Sequence, residues 1–142
     1  MINFLKKKAK NITNDNKFYY NIAALLIHAA KIDENYEEVE KDIIKKTLIE
    51  LGAGSSDIDI LISNAETIEE NSNQILNFTK EVKDAPLSDK IKIVESLWKI
   101  IYSNSDADIY ETNLMRRLAG LLYIDSKTMG NIKEKAKREL KK

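Results

Sequence analysis

Two short stretches of this 142-residue chain carry oxygen donors at the same spacing. In "KIDENYEEVE" (31–40), Asp33, Glu37 and Glu40 stand at offsets of 0, 4 and 7. In "KIIYSNSDADIYE" (99–111), Asn104, Asp108 and Glu111 repeat those offsets. An offset of three puts Glu37 with Glu40, and Asp108 with Glu111, on one helix face. The first donor of each set falls in the loop that feeds the helix, so a loop that curls over the first turn brings three oxygens to one point. Hard divalent cations take such oxygen sets at roughly 2.0–2.6 Å. Carboxylates crowded together repel unless a proton or a cation stands between them.

The same residues have a second reading. Asp and Glu belong in the first turn of any helix, where they cap free N–H groups and complement the helix dipole. Lys31, Lys41, Arg116 or Arg117 would then neutralise them. Neither stretch is an EF-hand. "DADIY" opens with D-x-D, but the glycine at the sixth loop position is missing, and the twelfth position is Arg117 counted from Asp106 and Ile44 counted from Asp33.

Other chemistry has little material. The chain has no Cys and one His, His28, so thiol nucleophiles, zinc ribbons and disulfides are excluded, and a catalytic zinc site lacks its usual ligands. His28 sits on an apolar helix and is expected to be hydrogen-bonded between helices. "LGAGSS" (51–56) lacks the lysine of a phosphate loop and follows no strand; a helix stop followed by a helix start explains it.

Helical periodicity supplies the elements that carry the two ladders. Phe18, Ile22, Leu25, Leu26 and Ala29 mark a helix ending near Ile32, with Asn14 or Asp15 as its cap. Val39, Ile43, Ile44, Leu48 and Leu51 mark the next, closed by Gly52. Ser55 or Ser56 is expected to cap a helix carrying Ile58, Leu61, Ile62, Ala65 and Ile68. Ile75, Leu76, Phe78, Thr79 and Val82 predict another, stopped before Pro86. The pattern Ile91, Val94, Leu97, Trp98, Ile101 runs to "SNSDAD"; Ile109, Leu114, Met115, Leu118, Leu121 and Leu122 follow. Met129, Ile132, Ala136 and Leu140 make a last, basic helix, whose Glu134–Arg138 and Lys135–Glu139 spacings mark a solvated face. No stretch alternates with a period of two. The expectation is a single all-α domain over residues 1–142, a bundle of about seven or eight helices. Residues 1–13 are expected to form a short amphipathic helix packed on it, with weak peripheral membrane contact as the alternative.

Lys+Arg and Asp+Glu both number 23, so no net charge draws nucleic acid or an anionic membrane. Hydrophobic residues are 43% and charged residues 32%, ordinary for a soluble globular protein. No segment reaches the roughly 18 apolar residues of a membrane span. A cytoplasmic protein is expected. Trp98 and Tyr102, one helical turn apart, are assigned to core packing, and Phe18, Tyr19 and Tyr20, an aromatic cluster at a helix start, to a staple or core role.

"AALLIHAAKIDENYEEVE" and "IVESLWKIIYSNSDADIYETNLMRRLAGLLYID" together resemble the TerB family, the tellurite-resistance-associated helical domain. Asp33, Glu37 and Glu40 fall on the family's first motif; Leu97, Trp98, Tyr102, Asp108, Tyr110, Glu111, Arg116 and Arg117 fall on its second. The family's Asp-Gly turn is Asp33-Glu34 in the first block and Asn104-Ser105 in the second, and Asn104 removes one charge. The architecture also resembles the amino-terminal region of DjlA-type co-chaperones, but the chain has no J-domain signature. The resemblance implies a non-enzymatic, divalent-cation-binding stress-response module. Asp33, Glu37, Glu40, Asn104, Asp108 and Glu111 would be the ligands. Calcium comes first, because an oxygen-only set suits it, with magnesium or manganese open. The alternative is a metal-independent scaffold that binds a protein partner, its acids serving as caps and ion pairs. A metal-assisted phosphoesterase is the third reading, and no nucleophile for it stands out.

Overall fold

A computed structural model of the chain describes residues 16–32, 36–72, 76–80, 82–102 and 109–140. Seven α-helices and no strands occur among them: α1 (Asn16–Ile32), α2 (Glu38–Glu50), α3 (Ile58–Glu70), α4 (Leu76–Thr79), α5 (Leu87–Tyr102), α6 (Ile109–Leu121) and α7 (Ser126–Leu140). The all-α expectation holds. The amphipathic segment at 1–13 and the caps at Asn14 or Asp15 lie outside the described residues.

Helix α1 is the centre of the domain. Residues 22–27, "IAALLI", are all fully buried, which no helix with one solvent face can achieve. They are covered by α2, α3, α4 and α5. The α1–α2 pair is an antiparallel hairpin, with the Tyr19 hydroxyl near the start of α1 donating to the Leu51 carbonyl at the end of α2 (3.3 Å). Helices α2 and α3 also run antiparallel, since Lys41 pairs with Glu66 (3.6 Å) and Lys45 with Asp59 (3.0 Å). The other half is built on α5 and α7. Glu95 meets Lys135 (3.3 Å) and Lys99 meets Glu139 (2.6 Å), so the two helices advance side by side in the same direction. Helix α6 connects them and buries Met115, Leu118 and, just past its end, Leu122. The halves touch where α5 packs on α1 and where it crosses α2; at the second crossing the Thr47 and Ser96 hydroxyls are hydrogen-bonded, and Thr47 also donates to the Ile43 carbonyl (2.8 Å).

Three local expectations change. Ser55 and Ser56 do not cap α3; with Asp57 they form a 3-10 turn that leads into it. Among the described residues of the stretch 75–82, Leu76–Thr79 are α-helical, and a 3-10 turn follows at Val82–Asp84. Four residues cannot sustain a helix alone. Burial of Phe78 and Val82 against α1 holds this stretch in place. Lys135 and Glu139 reach across to α5, so this side of α7 is an interhelical seam and not only a solvated face.

Candidate metal centre

The first ladder sits where α2 begins. Glu37 is the N-cap residue, and Glu40 occupies the third helical position. Together they form a reciprocal capping box, in which the Glu40 carboxylate accepts the Glu37 backbone N–H at 2.9 Å and Glu37 caps the Glu40 turn. Glu37 is exposed, whereas Glu40 is 1% exposed. A buried carboxylate keeps its charge only when hydrogen bonds or cations compensate its lost hydration. The capping box therefore explains part of what the spacing of Glu37 and Glu40 means, as the second sequence reading anticipated.

The cations expected to neutralise this ladder are engaged on α3. Lys31 lies 2.7 Å from Glu69 and Lys41 3.6 Å from Glu66. Lys41 also lies over the Tyr36 ring, 5.1 Å from its centroid. Burial, and then the Glu66 carboxylate, push the Tyr36 phenol above its ordinary range.

Asp33, Asn104 and Asp108 lie outside the described residues. Glu111 is on α6, with its side chain outside them. Among the described residues no three His, Cys, Asp or Glu side chains converge as a metal site would require. The described part of the proposed set is thus Glu37 and Glu40, both hard oxygen donors on one turn, a chemistry that fits calcium better than a soft metal.

His28 is not part of this set. Its Nδ1 lies 3.2 Å from Oε2 of Glu69, bridging α1 to α3, and its ring meets that of Phe78 at 6.0 Å. This is the interhelical role expected of a lone histidine. Trp98 and Tyr102 stack with centroids 5.8 Å apart at 20°, and Lys133 and Lys137 of α7 each lie 5.2 Å from one of the two rings. Sequence reasoning had assigned the aromatic pair to packing but missed its lysine partners. The signal was there in the i, i+4 spacing of both pairs.

The family model "Tellurite resistance protein TerB" matches residues 20–134. The chain belongs to the TerB family. The matched span takes in both acidic ladders, His28 and all of α5 of this TerB domain, and ends within α7. No curated protein and no solved structure matches the chain. No described helix of the TerB domain is long and apolar enough to cross a membrane.

Proposed function

We propose that this TerB domain is a non-enzymatic stress-response module that binds a divalent cation, calcium first, through Asp33, Glu37, Glu40, Asn104, Asp108 and Glu111. The observation that supports this reading is the placement of two hard oxygen donors, Glu37 and Glu40, on one turn at the start of α2. Lys31 and Lys41, which flank the ladder in sequence, are paired with Glu69 and Glu66 of α3. A cation bridging the two junctions would supply positive charge there and tie α2 to the start of α6. It would neutralise carboxylate charge and act as a cross-link. No proton transfer or bond cleavage is assigned to these residues.

The capping box favours a second reading, a metal-independent scaffold that engages a protein partner. In that case Glu37 and Glu40 do no more than start α2.

Thermal unfolding separates the two. The chelated protein is melted alone and with millimolar calcium, magnesium or manganese. A ligand at a hundred times its Kd stabilises by about 2.7 kcal/mol, well above detection. Calcium is expected to raise the melting temperature, and Glu40→Gln and Glu111→Gln to abolish the rise. A melting temperature unmoved by all three metals would leave the scaffold reading.

A further inference from the structure

Two helices of this domain end in the same backbone motif with very different residues at its critical position. After α2, the Gly52 N–H bonds the Ile49 carbonyl (3.0 Å) and the Ala53 N–H bonds the Leu48 carbonyl (2.9 Å). After α6, the Tyr123 N–H bonds the Gly120 carbonyl (3.3 Å) and the Ile124 N–H bonds the Ala119 carbonyl (2.9 Å). Both are Schellman turns, whose first residue beyond the cap takes positive φ and is usually glycine. Gly52 has φ +119° and Tyr123 has φ +58°. A bulky aromatic in the left-handed region is a true outlier, and such strain persists only where surrounding contacts enforce it.

The enforcing contact comes from Lys90 of α5. It is almost buried, its Nζ donates to the Leu122 carbonyl at 2.9 Å, and it lies 5.7 Å from the Tyr123 ring centroid. The ring itself gains no burial from this arrangement, since Tyr123 is 71% exposed. It forms one wall of an open groove of about 400 Å³, completed by Leu121, Gly120, Thr79, Lys80 and Lys83. Lys80 and Lys83 make no ion pair among the described residues. The Leu118, Ala119, Gly120 and Leu122 carbonyls at the end of α6 are already hydrogen-bonded, which blunts the negative end of that helix.

We propose that this groove is a docking site for a short acidic peptide segment of a protein partner. An apolar side chain of the segment packs on Tyr123 and Leu121, and its carboxylates face Lys80 and Lys83. The charge complementarity and the groove's size select this occupant. The space suits a few side chains. Two cations on a chain of zero net charge are too few to hold a nucleic acid backbone. The proposal is independent of the cation reading, because no ladder residue lines the groove.

The test uses the full chain and a fluorescein-labelled peptide, Glu-Leu-Glu-Glu-Leu-Glu, read by anisotropy at low salt, with Lys-Leu-Lys-Lys-Leu-Lys as control. Saturable binding of the acidic peptide alone is expected. Lys80→Glu with Lys83→Glu, and separately Tyr123→Gly, should each weaken it at least tenfold. Tyr123→Gly relieves a strained backbone, so its melting temperature should not fall, which separates lost binding from lost folding. Binding that ignores these variants, or none at all, overturns the proposal. So does binding to phosphatidylglycerol vesicles without peptide binding, or self-association in sedimentation that the same variants abolish.

Discussion

His28 on α1 and Glu69 on α3 face each other across the core, Nδ1 to Oε2 at 3.2 Å, and Lys31 closes on the other oxygen of the same carboxylate at 2.7 Å. Glu69 is 8% exposed, so one nearly buried carboxylate ties α1 to α3 through two bases. Lys31 is about one third exposed, and solvent screens its share. Glu69→Ala is expected to cost on the order of 1–3 kcal/mol in urea unfolding, with Glu69→Gln costing less because an amide still bonds His28. His28→Gln should leave any cation-induced melting shift unchanged. A shift lost with His28 would make the histidine a ligand.

Gly52 supports a different kind of test. A Cβ built there would stand 2.8 Å from the Tyr19 hydroxyl oxygen, which itself donates to the Leu51 carbonyl. Its positive φ adds backbone strain for any residue with a Cβ, about 1–2 kcal/mol. Gly52→Ala should therefore destabilise by at least that much, and Gly52→Ala combined with Tyr19→Phe should recover the steric part. Equal losses in the single and double variants would mean that backbone strain alone acts here.

Tyr36 gives an alkaline signature. Its folded-state phenol is held above the ordinary value of 10.0 by burial and by Glu66, so the folded state keeps a proton that the unfolded chain releases. The stability this represents is fully present below pH 10 and is lost as pH rises toward the folded value. Tyr36→Phe removes the titration, and stability should fall less steeply above pH 10 than in the parent. Its buried hydroxyl has no hydrogen-bond partner among the described residues, so the substitution should cost little at neutral pH. Parallel alkaline curves for the two proteins would refute the assignment.

Asp125 gives an acid signature. It caps α7: its carboxylate accepts the Thr128 backbone N–H at 2.7 Å, and that bond holds its pKa below the usual range. A lowered folded pKa stabilises above the unfolded value and is lost as pH falls through the folded one. Asp125→Ala should melt at a lower temperature than the parent at neutral pH, with the gap closing as the carboxylate is protonated. A gap that persists at low pH would assign the loss to something other than the charged cap.

The helices, their order and most of their ends could be read from residue spacing. Phe18, Ile22, Leu25, Leu26 and Ala29 marked the first helix by their spacing, and Gly52 marked a stop, because local backbone preference and burial agree at those places; that residues 22–27 are buried on every side came from the packing around them. The stretch 75–82 was harder: its apolar spacing fits a continuous helix, and tertiary burial of Phe78 and Val82 holds a shorter one. For the ladders, the sequence offered capping and metal ligation together, and the structure realised the capping bond between Glu37 and Glu40.

From the order of its amino acids alone this chain is an all-helical TerB domain with two matching acidic junctions, since helical periodicity and motif spacing are local properties. Only the tertiary structure directs Lys31 and Lys41 to α3, sets Lys133 and Lys137 beside Trp98 and Tyr102, and holds Tyr123 in a glycine's conformation over Lys90. Those pairings join residues far apart in the chain, and which charge meets which ring depends on how the helices cross, which no single segment encodes.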